Sequence, residues 1–155
     1  MDAQAQVIDF LKLNGLPFEL RQHPAVHTMD DCAALGLPAP HCKNLFLCNR
    51  AATQFYLFLL GADKPFVTRE ISHALFGKDE PLFAMLHTHP GAVSPMGLIF
   101  PEAAPVRLLC DRSLTALPAI AFHPLTPAAS LWMPADAFFR RFLPLTGHEV
   151  TFLDV

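Results

Sequence analysis

Residues 87 to 97, HTHPGAVSPMG, contain two features that could carry chemistry. His87 and His89 are two residues apart, and imidazole nitrogens are common ligands of zinc. The second feature is the segment from Gly91 to Pro95, in which the glycine lets a ligand approach the backbone closely and the proline stiffens the turn. The histidines predict a metal-dependent hydrolase, whereas the loop predicts a site that offers backbone N–H and C=O groups to a ligand.

The zinc hypothesis requires ligands beyond this histidine pair. In a strand, His87 and His89 would point to the same side, as in the H-x-H-P pattern of JAMM-type metalloproteases. That family also has a serine and an aspartate at fixed later positions, but here Ser94 comes too early and Gly97 stands where the aspartate would follow it. No spacing supports the remaining candidate ligands, which are His73, His123 and His148. The sequence therefore favours the alternative, in which His87 ends a helix and His89 begins a loop.

A catalytic nucleophile is not indicated either. The four cysteines are irregularly spaced and form no C-x-x-C pair: Cys32, Cys42, Cys48 and Cys110. Cys110 lies in the apolar run VRLLC, which is typical of an inert core thiol, and His41 directly precedes Cys42, a spacing that rarely lets two side chains meet. Ser94 is not part of a G-x-S-x-G nucleophile elbow. Because no basic leader followed by an apolar block opens the chain, we expect reduced thiols and a cytoplasmic protein.

Two further residues could contact an anion or line a pocket. Lys43 stands at the start of the apolar segment CKNLFL, where a half-buried cation needs a partner. It could contact one phosphate, or it could extend its ammonium group to solvent. His123 ends the apolar segment AIAFH, directly before Pro124. It could be a hydrogen-bonded residue at the end of a strand or part of a pocket, and spacing alone leaves both alternatives open.

The composition predicts one globular domain over residues 1–155. Hydrophobic residues make up 52% of the chain and charged residues 16%, which is enough apolar surface for a packed core. No apolar run approaches the roughly 20 residues of a membrane helix, so no membrane partner is expected. The net charge of -3 argues against DNA or any long nucleic acid held through many phosphates. It is compatible with weak, salt-sensitive binding of the end of an RNA.

Apolar periodicity and turn residues predict the elements that would position these side chains. Short helices and strands without strict alternation predict an α/β (α+β-like) fold, in which helices flank a central mixed, mainly antiparallel sheet. Helices are predicted around residues 7–13, 28–35, 67–76, 81–87 and 134–143. Strands are predicted at residues 18–21, 44–48, 55–60, 106–110, 120–122 and 150–153, the second and third as a hairpin.

Four segments together resemble a known family: CKNLFL (42–47), PGAVSPMGLI (90–99), FHPL (122–125) and TGHE (146–149). Their order and spacing resemble the YbaK and prolyl-tRNA-synthetase editing-domain family, in its free-standing alanyl-tRNA(Pro) deacylase branch. The resemblance runs from the HP at positions 23 and 24 to the C-terminus. It implies that the chain hydrolyses the ester bond of mischarged aminoacyl-tRNA, foremost Ala-tRNA(Pro), and contacts the 3′-terminal adenosine and acceptor end. Prolyl-tRNA synthetase is a second candidate partner.

The resemblance also assigns roles to residues. It implies that Lys43 contacts the terminal adenosine or its phosphate and that His123 borders the amino-acid pocket, which makes them catalytic candidates together with Gly91. The implied substrate-binding residues are Asn44, Ala92, Val93, Ser94 and Pro95. An aminoacyl ester is already activated, so holding water and ester in attack geometry with oxyanion support can suffice. Neither a cofactor nor a metal is therefore predicted.

Two positions depart from the family pattern. Pro127 replaces an asparagine four residues after His123, and Phe100-Pro101 replaces an Asn-Asp pair. Both changes are expected near the rim of the pocket, so the identity of the small amino acid stays open. Two alternative functions remain: a non-catalytic RNA- or nucleotide-binding module of the same fold, and the zinc hydrolase that uses His87 and His89.

Overall fold

Short helices and strands follow one another along the chain in the computed structural model, which describes residues 2–66 and 75–155. The helices are α1 (Ala3–Leu13), α2 (Met29–Ala34), α3 (Asp79–Leu86), α4 (Ala135–Ala137) and α5 (Leu143–Thr146). The strands are β1 (Glu19–Gln22), β2 (Lys43–Cys48), β3 (Phe55–Leu60), β4 (Leu75–Phe76), β5 (Val106–Asp111), β6 (Ala119–Phe122), β7 (Ala129–Pro134) and β8 (Val150–Leu153). The described residues also form 3-10 segments at Pro95–Ile99, Pro101–Ala103 and Arg112–Ala116, and a π-helical turn at Phe138–Phe142.

The first two helices start at local capping signals. The Asp2 side chain accepts a hydrogen bond of 2.7 Å from the backbone N–H three residues later, and Thr28 Oγ1 accepts a corresponding bond of 3.0 Å at the start of α2. Each bond satisfies a backbone donor that has no partner within the helix. Val7 and Leu11, four residues apart, are fully buried, so α1 packs one face on the core. The two predicted N-terminal helices are confirmed.

The strands form two sheets that meet beside the start of β2. The five-stranded sheet has the order β4-β2-β3-β5-β8, antiparallel from β4 to β3 and parallel from β3 to β8. The three-stranded sheet has the order β1-β7-β6 and is antiparallel. A parallel bridge between His41 and Ala121 joins them. Since Lys43 begins β2 and His123 directly follows β6, this bridge brings the two residues to the same region.

The predicted fold class, α/β with a mixed, mainly antiparallel sheet flanked by helices, is confirmed. Its strands are divided between two sheets rather than gathered into one central sheet. The predicted hairpin pairs β2 with β3 over six residues, from Lys43 opposite Leu60 to Cys48 opposite Phe55. The predicted strands near residues 19, 106, 120 and 150 correspond to β1, β5, β6 and β8.

Three segments differ from the sequence prediction. The sequence does not predict β7, because its residues are buried on both faces and lack polar alternation. The helix expected from Pro134 begins one residue later and continues through the π-helical turn to Thr146. The helix expected at 67–76 falls mainly on residues 67–74, which lie outside the described residues. Its last two residues form β4 instead, because they pair with the free edge of β2.

The end of α3 positions the loop that follows it. His87 closes α3 in the left-handed conformation, with φ at 56°, as expected from the alternative in which it ends a helix. The 3-10 segment Pro95–Ile99 packs against this helix end: a Cβ atom on Gly97 would lie 2.4 Å from the carbonyl oxygen of Leu86. Only glycine permits this approach. The loop between the two elements is therefore anchored at both of its ends.

A continuous apolar core joins the larger sheet to the C-terminal helical segment. Its fully buried members include Leu57, Met96, Phe122, Phe138 and Phe142. The Phe138 ring packs on Phe122 and on Phe142, with centroid distances of 4.6 and 5.6 Å. Among residues 2–66 and 75–155, no helix has the length and hydropathy needed to cross a membrane.

Candidate active site

A cavity of about 230 Å³ lies where the two sheets meet the loop after α3. Its walls come from α2, the start of β2, the loop around residue 91 and the residue after β6. The lining residues are Val26, His27, Thr28, Met29, Cys32, His41, Cys42, Lys43, Asn44, Leu45, Gly91, Val93 and His123. Since pockets for drug-sized ligands usually measure about 300–1,000 Å³, this cavity suits a small chemical group.

The cavity brings together five of the eight residues that the sequence predicts for the site: Lys43, Asn44, Gly91, Val93 and His123. The three others do not line it. Ala92 and Ser94 are buried, and Pro95 begins the 3-10 segment. Direct contact between this loop and a ligand in the cavity would therefore involve Gly91 and Val93.

Two side-chain hydrogen bonds hold the loop in shape. Thr88 Oγ1 donates to the carbonyl oxygen of Ala92 at 2.9 Å, and Ser94 Oγ accepts from the backbone N–H of Met96 at 3.1 Å. Between them, Gly91 has a φ of 91°, a conformation that residues with a Cβ atom rarely adopt. A Cβ atom there would meet no heavy atom within 4 Å. The glycine therefore keeps open the space in front of the loop backbone.

Lys43 and Asn44 enter the cavity from the first two positions of β2. The Lys43 ammonium group donates to the backbone carbonyl of Lys64, and two of its three hydrogens remain for other acceptors. Asn44 Nδ2 donates to the carbonyl oxygen of Cys42 at 3.1 Å. This bond turns the Asn44 amide back along its own strand, so Asn44 shapes the wall. Lys43 supplies the positive charge at the cavity.

His123 faces Cys32 across the cavity. His123 Nδ1 lies 2.8 Å from the carbonyl oxygen of Ala129, so this nitrogen carries the proton that is donated. His123 Nε2 is then unprotonated in the neutral ring, and it lies 3.9 Å from Cys32 Sγ. The hydrogen bond to β7 thus fixes both the tautomer and the orientation of the ring.

His41 also lines the cavity, next to His123. Its Nε2 lies 3.0 Å from the Ser130 hydroxyl oxygen, and His23 Nε2 approaches the same oxygen to 2.8 Å. The rings of His41 and His123 are 4.9 Å apart between centroids. A single buried serine therefore orients two histidines, and the rings of both contact the ring of His123.

Burial keeps these groups uncharged. Burial, together with the positive charges that His123 and His23 can carry, lowers the pKa of His41 to about 4. Burial also lowers the pKa of His123, against the opposing hydrogen bond to Ala129. Burial raises the pKa of the Cys32 thiol, and Asp31 adds to this effect. At neutral pH the cavity thus presents two neutral imidazoles and a thiol, with Lys43 as the cation at its edge.

Acidification is expected to destabilise the fold through His41. Because its pKa is about 4 in the folded protein and 6.5 in the reference state, the unfolded chain binds more protons here between these values. Stability should then fall as the pH falls, and by pH 4.5 this group should cost about 2–3 kcal/mol. Urea unfolding at pH 7 and pH 4.5 checks this. The loss should shrink by that amount in His41→Asn and persist in His89→Asn, an exposed control. An equal loss in all three proteins would contradict the assignment.

The sequence model of one protein family, described as an aminoacyl-tRNA editing domain, matches residues 23–140. The chain belongs to this family. The matched range includes every residue that lines the cavity. The chain is therefore an aminoacyl-tRNA deacylase, and its activity is the editing of mischarged tRNA.

Relatives of this editing domain span almost its whole length. The prolyl-tRNA editing protein ProX of Acetoanaerobium sticklandii is 28% identical over 142 residues, which cover 84% of this chain and 85% of that protein. Prolyl-tRNA synthetase associated domain-containing protein 1 of Xenopus laevis is 26% identical over 140 residues, which cover 83% of this chain and 82% of that protein.

Solved structures also resemble the chain. The structure of a candidate trans-editing enzyme for prolyl-tRNA synthetase matches with a TM-score of 0.70 at 21% identity, and the match covers 100% of this chain and 99% of that one. The hypothetical protein APE2540 matches with a TM-score of 0.73 at 19% identity, covering 94% and 96%. These structures share the fold.

Cys32 and His41 are pocket residues of the editing domain that the sequence did not indicate. The adjacency of His41 to Cys42 suggested no useful pair, and Cys32 had no evident partner. Cys32 Sγ lies 3.9 Å from Nε2 of His123, a residue 91 positions away in the chain. No local spacing could reveal such a contact, because it depends on the bridge between the two sheets.

The histidines of the HTHP segment lie outside the editing-domain cavity. The His87 ring stacks on Phe100 with a centroid distance of 3.8 Å, and its Nε2 lies 3.5 Å from a carboxylate oxygen of Glu102. The His89 ring stacks on Phe83 at 4.9 Å. Within the described part of the chain, neither belongs to a group of three potential metal ligands. His73, one of the candidate third ligands, lies outside the described residues.

The two departures from the family pattern do not line the cavity either. Phe100 is buried against His87. The carbonyl oxygen of Pro127 accepts a hydrogen bond of 3.1 Å from the backbone N–H of Val26, a lining residue. Pro127 therefore supports Val26, a residue of the cavity wall. A larger groove of about 780 Å³ runs beside α5 and β8, and none of the predicted site residues lines it.

Proposed function

We propose that this editing domain hydrolyses Ala-tRNA(Pro), with a water molecule positioned by the backbone of the loop at Gly91 and without a metal. The observation that carries the proposal is the cavity of about 230 Å³ that holds Lys43, Gly91 and His123 together. A cation, an open backbone and a neutral imidazole meet there in a space that suits a small group. These are the requirements for holding the end of an aminoacyl-tRNA.

The reaction requires little from the protein beyond positioning of the water molecule and the ester. Water adds to the ester carbonyl, the bond to the ribose oxygen breaks, and the proton of the water passes to that departing oxygen. Alanine and free tRNA are the products. Holding water and ester together at the correct distance can supply a large part of the rate enhancement, and backbone N–H groups can stabilise the negative charge on the carbonyl oxygen.

Each of the three residues has a separate role in this proposal. Lys43 binds a phosphate of the 3′-terminal nucleotide through the ammonium hydrogens that Lys64 does not use. Gly91 leaves room for the ester to approach the loop backbone. His123 stays neutral, and its Nε2 can accept a hydrogen bond from the amino acid or the water.

The substrate preference follows from the size of the cavity. Val26, Met29 and Val93 give its walls apolar surface. A synthetase pocket built for proline rejects the smaller alanine weakly, because each missing methylene is worth about 1–3 kcal/mol. A second, smaller site can accept alanine and exclude proline by size, which supplies the missing discrimination.

The partners proposed for this activity are the acceptor end of tRNA(Pro) and, as a second partner, prolyl-tRNA synthetase. The names of the relatives, which refer to prolyl-tRNA editing and to prolyl-tRNA synthetase, support this proposal. Residues 1–155 act as one domain in this proposal, and the site of action is the cytoplasm. The net charge of -3 favours a contact confined to the tRNA end.

The test is deacylation of tRNA(Pro) charged separately with alanine, 2-aminobutyrate, serine and proline, each with and without EDTA. We expect Ala-tRNA(Pro) to be hydrolysed roughly 100-fold faster than Pro-tRNA(Pro), as a difference of two methylene groups allows. EDTA should not slow the reaction. Preference for serine or 2-aminobutyrate would reassign the substrate. Binding of tRNA without hydrolysis of any ester would favour the non-catalytic binding module instead.

A further inference from the structure

Three potential metal ligands converge at the base of the cavity. The ligand atoms of Cys32, His41 and His123 all lie within 4.8 Å of one another, and Cys32 Sγ is 3.9 Å from His123 Nε2. Around a tetrahedral zinc ion, neighbouring ligand atoms are separated by roughly 3.5 Å, given metal–ligand bonds of about 2.0–2.3 Å. Small side-chain rotations would therefore suffice to close the three atoms around one cation. Among residues 2–66 and 75–155, no other three side chains of histidine, cysteine, aspartate or glutamate bring their ligand atoms this close together.

The chemistry of the three groups suits zinc. Zinc binds cysteine sulfur and imidazole nitrogen, and this cluster supplies one sulfur and two imidazole nitrogens. Each imidazole is also held in its orientation by a hydrogen bond to another group of the protein, as histidine ligands of metals usually are. The Ala129 carbonyl fixes the His123 ring so that Nε2 faces Cys32, and the Ser130 hydroxyl orients His41. These hydrogen bonds reduce the side-chain entropy that metal binding would otherwise have to overcome.

The same three residues line the cavity assigned to the aminoacyl group. We propose that Cys32, His41 and His123 form a Zn²⁺ site and that a bound zinc ion blocks this cavity, so that zinc inhibits deacylation. On binding, the Cys32 thiol releases its proton to solvent, and the thiolate and two imidazole nitrogens bond to the cation. The blocking effect rests on the function proposed above, whereas the metal site rests on the geometry alone.

The site is tested first by binding, with Co²⁺ as a spectroscopic probe. Titration of the reduced, EDTA-treated full chain should give one equivalent of bound Co²⁺ with a thiolate-to-cobalt charge-transfer band, and Zn²⁺ should displace it. The band should disappear in Cys32→Ser and persist in Cys48→Ser, a control cysteine outside the cavity. Circular dichroism verifies that both variants fold. No charge-transfer band in the wild type, or an unchanged band in Cys32→Ser, would overturn the metal site.

Inhibition is tested on Ala-tRNA(Pro) with the same proteins. Zinc in excess over protein should slow deacylation at least 10-fold, and EDTA should restore the rate. Cys32→Ser should require at least 10-fold more zinc for half-inhibition than Cys48→Ser requires. A rate that zinc leaves unchanged or increases would overturn the blocking role. If the wild type binds Co²⁺ as described but hydrolyses no ester even in EDTA, the proposed function fails and the metal site stands.

Discussion

Replacement of Lys43 by alanine is expected to lower kcat/KM for Ala-tRNA(Pro) about 30- to 100-fold. A hydrogen bond to a charged group contributes about 1.5–3 kcal/mol, and the proposed phosphate contact is of this type. The fold should persist, since the Lys43 side chain gives up only its bond to the Lys64 carbonyl. Steady-state deacylation and urea unfolding measure the two effects separately.

Salt dependence distinguishes a phosphate contact from a structural role. If Lys43 neutralises one phosphate, the slope of log(kcat/KM) against log[salt] should become shallower by about 0.7 in Lys43→Ala. Lys43→Arg keeps the charge and should retain the wild-type slope. Lys12→Ala removes an exposed lysine that does not line the cavity and serves as the control. An unchanged rate and slope in Lys43→Ala would remove the phosphate role.

Replacement of Gly91 by valine is expected to reduce deacylation at least 100-fold. The new side chain would project where no protein atom lies within 4 Å, into the space assigned to the ester. Misplacement of the reacting groups can by itself lower the reaction rate by a factor of about 100. Single-turnover deacylation measures the chemical step, and Gly91→Ala should give an intermediate rate because its side chain is smaller.

Backbone strain must be separated from blocking, because any side chain at a φ of 91° is unfavourable. Gly147 offers a matched control: its φ is 76°, and a Cβ atom there also meets no heavy atom within 4 Å. Gly147 lines the other groove, beside α5. Gly91→Val and Gly147→Val should therefore lose similar stability, of about 1–2 kcal/mol, while only Gly91→Val loses activity. Equal losses of activity in both variants would rule out the blocking role.

Local signals were sufficient for much of the fold. The caps at Asp2 and Thr28 and the hairpin of β2 and β3 each depend on residues close together in the chain. The strand β7 was not predictable in this way, since burial on both faces removes the alternation that marks a strand. β4 forms because it pairs with the edge of β2, which is a tertiary interaction and not a propensity of residues 75 and 76.

Several of the candidate site residues predicted from short motifs lie together in the folded chain. The loop at Gly91 and the two residues Lys43 and Asn44 were identified from motifs, and the cavity brings them together. The family resemblance implies that Ser94 binds substrate, but in the structure its hydroxyl group caps the 3-10 segment. A serine in such a loop can serve either purpose, and the choice depends on the direction of its side chain.

The sequence by itself determined the presence of the first two helices, the hairpin, the glycine loop and, through its motifs, the family. The tertiary structure alone decided that Cys32, His41 and His123 share one cavity. The physical reason is the range of the interactions involved. Capping, periodicity and turn formation act over a few residues, whereas the bridge between His41 and Ala121 joins positions far apart in the chain. The register of that bridge places the end of β6 beside the start of β2, and the cavity forms between them.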